Sequence, residues 1–166
     1  ARSKIAQSKA TRDDVKDLAT MMVTEHTAND ERLKTLGQQK GLSSEPSASS
    51  ESVEEDAESF TTRLEDRSGA AFDRAYVESE IMAHAKARSV IDHVLSGVVV
   101  DPDLKTALDE IREAAGTHLE RAQAVRRALL TDASSTTEET SSSEETSSSD
   151  AGSRFDAGSR FDAGSH

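Results

Sequence analysis

The chain has 166 residues, 34% hydrophobic but only 3% aromatic, with no Cys and no Trp; this suits one domain with a core of Ala, Leu, Val, Ile and Met, and disfavours a sheet, whose strands draw on aromatic and β-branched side chains. The absence of Cys excludes disulfides, thiolate metal sites and cysteine nucleophiles, and leaves the redox compartment open. A net charge of −12 argues against nucleic acid or anionic membrane as a partner, since both need a concentrated basic surface, and no apolar run is long enough for a membrane span.

Ser3 to Ala10 reads as the end of a helix, with Thr11 as the N-cap of the next and Asp14 in its acidic first turn. A long amphipathic helix over 12–40 then carries Val15, Leu18, Met22, Leu33 and Leu36 on one face, with His26 and Asn29 as a polar centre, and Gly41 stops it. Leu42 to Ser50 holds a Pro and little that can be buried, so it is a loop. A shorter helix follows, with the stripe Val53, Ala57, Phe60 and Leu64, until Ser68 and Gly69 break the pattern. Phe72, Tyr76, Glu80, Ala83, Ala87, Ile91 and Leu95 mark a third long helix over 70–97, with Val77, Ile81 and His84 beside the stripe.

Asp101 followed by Pro102 starts the last helix, because an Asp cap accepts orphan amides and Pro is tolerated at the first helical position. Its stripe runs Leu104, Leu108, Ile111, Ala115, His118, Ala122, Val125 and Leu129. The connection before it is short, so the third and fourth helices pair antiparallel. The predicted fold is all-α: an antiparallel helical bundle over residues 1–130, with three long helices, one shorter helix and an N-terminal helix stub. After Leu130 the sequence turns to Ser, Thr and Glu and ends in DAGSRF repeats. A segment of that composition cannot bury enough apolar surface to offset chain entropy, so residues 131–166 read as a disordered tail.

Three segments resemble a known family: VKDLATMMVTEHTANDERLKTLGQQKG from Val15, SGAAFDRAYVESEIMAHAKA from Ser68 and DPDLKTALDEIREAAGTHLERAQAV from Asp101. They are similar to the domain-of-unknown-function family 4142, exported bacterial proteins with a ferritin-like bundle, often labelled predicted outer membrane proteins. The resemblance implies an extracytoplasmic protein, periplasmic or secreted. Relative to that family most of a preceding helix is missing, which leads us to expect an uncovered apolar groove and a homo-oligomer that fills it.

The chemistry-bearing residues are the polar points of these helices. His26, His84 and His118 each lie near the middle of a long helix, and the midpoints of bundle neighbours fall at similar depth, so the three imidazoles can converge. Glu80, one turn before His84, is a fourth candidate ligand, and Asn29, Asp73 and Tyr76 are candidate supporting groups. Imidazole and carboxylate donors suit a transition metal ion. The competing reading is a hydrogen-bonded polar layer that fixes helix register, in a structural protein that self-assembles through its helical faces.

Ferritin-like di-iron sites use Glu-x-x-His pairs, but Val23, Ile81 and Ala115 precede the three histidines at that spacing, so di-iron oxidase chemistry is not expected. His93 reads as a surface residue, and Met21 and Met22 as core filler. No Ser-His-Asp order and no Gly-rich phosphate loop is present, and the expected function is non-enzymatic.

Overall fold

A computed structural model describes residues 2–43, 45–46 and 48–141. It is an all-α bundle of five helices: α1 (Arg2–Lys9), α2 (Asp13–Gln39), α3 (Ala48–Glu65), α4 (Gly69–Val90) and α5 (Pro102–Ser141). No strand occurs among the described residues. By internal contacts the chain divides into Ala1–Asp132 and Ala133–His166, and the core found among the described residues lies in the first. Among the described residues no helix is long and apolar enough to cross a membrane.

The helix ends show how local chemistry and tertiary contact share the work. Gly41 takes φ 64°, a left-handed conformation without steric cost for Gly, and Leu42 N–H then reaches back to the Gly37 carbonyl at 2.9 Å, closing α2 as the sequence predicts. Asp101 Oδ1 accepts from the N–H groups of Asp103 (3.0 Å) and Leu104 (3.1 Å), which is the expected cap of α5. The start of α2 differs from expectation. Thr11 does not cap it: the Thr11 hydroxyl donates to Asp73, and the Asp73 carboxylate accepts the N–H groups of Thr11 (3.0 Å) and Arg12 (3.1 Å). A residue of α4 thus satisfies the orphan amides between α1 and α2.

Two further boundaries differ. The third long helix does not stay α-helical to its end but widens into a π-helical turn, Ile91–Leu95, where Ser96 N–H and the Ser96 hydroxyl both donate to the Ile91 carbonyl (2.9 and 2.8 Å). Helix α5 continues past Leu130 to Ser141. Once a helix is nucleated, each added residue gains a hydrogen bond, and here Arg12 pairs with Asp132 while the Thr131 hydroxyl donates to the Ala128 carbonyl at 2.9 Å. The expected disorder of the remaining tail, 142–166, lies outside the described residues.

Contacts at the two ends orient the bundle. Arg12, at the start of α2, lies beside Asp73 of α4 and Asp132 of α5, whereas Lys40 after α2 pairs with Asp101 and Asp103 at the start of α5, each at 2.8 Å. Helices α2 and α4 therefore run parallel, and α5 runs antiparallel to both. The core sits at the Arg12 end, where Val15, Leu18, Ala19 and Met22 of α2 meet Phe72, Tyr76 and Val77 of α4 and Ala122, Val125 and Leu129 of α5. Ala6 and Ala10 of the α1 segment and Leu64 of α3 complete it. Met22 is buried and Met21 packs against the same cluster. Towards the Lys40 end the covering elements run out. Leu33 of the predicted stripe is 40% exposed, and Val94, Val98 and Leu42 are more so. Among the described side chains of α3 only Leu64 is fully buried, while Val53 stands half in solvent.

Candidate metal centre

The histidine layer lies just beyond the core. His26 follows buried Met22 by one turn of α2, His84 follows Glu80 by one turn of α4, and His118 continues the Ala115–Ala122 stripe of α5. Since α2 and α5 are tied to each other at both ends, and each imidazole is carried about 20 Å from the Arg12 end at the helical rise of 1.5 Å per residue, the three rings arrive at one depth. Ring centroids lie 5.0 Å (His84–His118), 5.3 Å (His26–His118) and 5.5 Å (His26–His84) apart. One nitrogen from each ring falls within 4.8 Å of the others, with His84 and His118 buried and His26 exposed.

Hydrogen-bond partners set the roles of four nitrogens. His84 Nδ1 is 2.8 Å from the Glu80 backbone carbonyl, which can only accept, so Nδ1 carries the proton. His118 Nε2 is 2.6 Å from a carboxylate oxygen of Glu25, again an acceptor, so that nitrogen also carries a proton. The remaining pair, His84 Nε2 and His118 Nδ1, face each other at 3.2 Å. In neutral rings both of these hold lone pairs. Two lone pairs at that separation repel unless a cation, a proton or a metal ion, stands between them.

Burial acts against a proton. It pushes the His84 pKa below its ordinary value, with the backbone carbonyl and charge of Glu80 opposing. His26 is exposed on one side, yet the helices packed round its ring desolvate it; this lowers its pKa, as does the neighbouring His118.

The other sequence-derived candidates fall in different places. The Glu80 carboxylate is buried, but it accepts from Arg2 Nε (2.7 Å) and the Ser3 hydroxyl (3.3 Å), and its nearest approach to His84 is 3.6 Å, to the outward-facing Nδ1. Glu80 supports His84 through its backbone rather than by joining the ligand cluster. Asp73 holds the α1–α2 turn and makes no hydrogen bond to the histidines. Tyr76 stacks on Phe72 with centroids 6.4 Å apart, and its hydroxyl is buried; burial and then the charge of Glu80 push its pKa up. No hydrogen bond of the Asn29 side chain to the histidines is present among the described residues, and His93 is exposed.

Sequence reading missed Glu25 and Arg2. Glu25 directly precedes His26, and consecutive helical residues point about 100° apart, so Glu25 has no place on the stripe. It reaches His118 only because α5 lies on that side of α2. A groove of about 650 Å³ opens beside His26, lined from α1, α2, α3 and α4. It sets the apolar Met22, Val23 and Ala57 beside Asp30, Glu58, Glu65 and Glu80 and the cationic Arg2 and Lys4. Exposed apolar side chains cluster towards the Lys40 end, at Leu33, Leu42, Val94, Val98 and Val100, with Met82 and Leu130 exposed elsewhere.

A family profile described as "Domain of unknown function (DUF4142)" matches residues 1–125. The chain belongs to this family. All three histidines, Glu25 and Glu80 fall inside the matched family region, as does Asp73. No curated protein and no solved structure matches the chain.

Proposed function

We propose that this member of the family is a non-enzymatic bundle protein that binds one divalent transition metal ion through His26, His84 and His118. The observation that carries the reading is the pair of inward nitrogens on His84 and His118, 3.2 Å apart, whose outward nitrogens are both committed as donors to Glu80 and Glu25. Metal-bound histidines characteristically give their other N–H to a carbonyl or carboxylate, which fixes the ring and raises its basicity. Two nitrogens on one tetrahedral zinc ion at about 2.0–2.1 Å stand about 3.3 Å apart, close to the separation seen here. Three imidazoles without thiolate suit zinc, copper, nickel or cobalt and are poor donors for calcium or magnesium, which take oxygen.

Protein purified without a histidine tag, loaded with zinc and dialysed, is expected to hold one metal per chain by elemental analysis, and His84→Ala or His118→Ala to hold none. Wild-type protein that comes through dialysis metal-free in every loading would end this reading. The export implied by the family resemblance belongs to the same proposal, and fractionation of the native host would test it.

The hydrogen-bonded chain Glu80–His84–His118–Glu25 also favours a second reading, in which a proton replaces the metal and the layer ties α4, α5 and α2 in register within a self-assembling structural protein. In that case the metal stoichiometry is zero while both alanine variants lose stability.

A further inference from the structure

We infer that the metal of the histidine layer keeps one coordination position open to the groove beside His26 and takes there a small exogenous donor, water or a monoanion of azide size. The inference rests on the metal-binding reading and extends it to the ligand the centre accepts.

Counting donors gives the first reason. The cluster offers three nitrogens and no fourth His, Asp or Glu atom among the described residues. Of the carboxylates nearest the layer, Asp30, one turn after His26, lies outside the ligand cluster, and Glu25 and Glu80 are engaged elsewhere. Glu25 holds His118 Nε2 at 2.6 Å, on the far side of the ring from the inward Nδ1, and Glu80 is held by Arg2 at 2.7 Å. Neither can reach the inner nitrogens while keeping its partner. Sites with three protein ligands leave the fourth position to water or substrate, whereas structural sites are closed by four.

Access gives the second reason. His84 and His118 are buried, but His26 is exposed and forms part of the groove wall. The layer is therefore sealed on its α4–α5 side and open on its α2 side. The groove charge then selects the ligand. Four carboxylates against two cationic side chains attract metal ions and repel polyanions, so a large phosphorylated ligand is disfavoured and a small neutral or singly charged donor is admitted.

The test uses the wild-type full chain loaded with cobalt(II), whose visible bands report coordination, titrated with sodium azide. The expected result is a shift of the cobalt bands that saturates at one azide per cobalt. One tightly held cobalt whose bands azide leaves unmoved would show a closed site and overturn the inference while the metal-binding reading stands. Failure to retain cobalt, or any other loaded metal, would remove both.

Discussion

Nε2 of His84 and Nδ1 of His118 face each other across 3.2 Å, each on a ring whose other nitrogen is already bonded to an acceptor on α4 or α2. Whatever cation separates them joins three helices, so metal binding and bundle stability are linked.

That linkage gives the first prediction. Free zinc at about one hundred times its dissociation constant should stabilise the native state by about 2.7 kcal/mol through mass action. Thermal unfolding with and without zinc checks it. The rise in Tm should vanish in His84→Ala and His118→Ala and persist in His93→Ala, whose side chain is exposed. Glu25→Gln should keep the site but weaken metal affinity about 10- to 100-fold, the usual effect of losing the acceptor behind a ligating histidine.

Without metal, pH should act on the same layer. The folded-state pKa values of His26 and His84 are lowered from 6.5, burial being the main cause for both. The unfolded chain therefore takes up protons first as the pH falls, so stability from these groups is full above about pH 6.5 and declines below it. Urea unfolding of the metal-free protein at pH 7.5 and pH 5.5 should show the lower midpoint at acid pH, and His84→Leu should reduce the difference. A midpoint that rises on acidification would mean that the rings are charged in the folded state.

Asp73 should matter for stability and not for metal. Its buried carboxylate accepts two backbone N–H groups and one hydroxyl at the α1–α2 turn. Asp73→Ala strands those donors, at a cost of about 2–4 kcal/mol by the usual worth of hydrogen bonds to a charged group. Denaturant unfolding would measure the loss, and zinc stoichiometry in the folded fraction should stay at one. A loss of metal at unchanged stability would instead put Asp73 in the site.

Two glycines should respond to alanine with opposite signs. At Gly116, inside α5, an added Cβ meets Arg88 Nη1 at 3.6 Å, ordinary contact with the end of a flexible side chain. Gly116→Ala should therefore gain most of the helix-propensity difference, about 0.8–1 kcal/mol. Gly69 opens α4 at φ 57°, where a Cβ is strained, and Gly69→Ala should lose about 1–2 kcal/mol. Chemical denaturation of the two variants beside wild type decides both.

Local periodicity and end chemistry, which sequence carries directly, determined the helices themselves. The 3.6-residue spacing of Val15, Leu18 and Met22, of Phe72 and Tyr76, and of Ala115, His118, Ala122 and Val125 marks faces that are buried in the fold. Gly41 and the Asp101–Pro102 pair mark ends that form by contacts within a few residues. The shared level of His26 and His118 was equally legible, because each lies near the centre of a stretch of similar length, one between Arg12 and Lys40 and the other between Asp101 and Asp132, and the two stretches are tied at both ends. Tertiary structure alone decided what crosses between helices. Asp73 caps a turn 61 and 62 residues earlier in the chain, and Glu25 fixes a ring 93 residues later. Asp73 stood out as a polar point of its helix and Glu25 did not, but the partner of neither was legible, since a side chain's partner across a bundle depends on which helix lies on that side and at what level. The same holds for the uncovered Leu33: its spacing is as regular as that of Leu18, but burial needs a neighbouring helix, and α1 packs against the other half of α2, around Val15, Leu18, Ala19 and Met22.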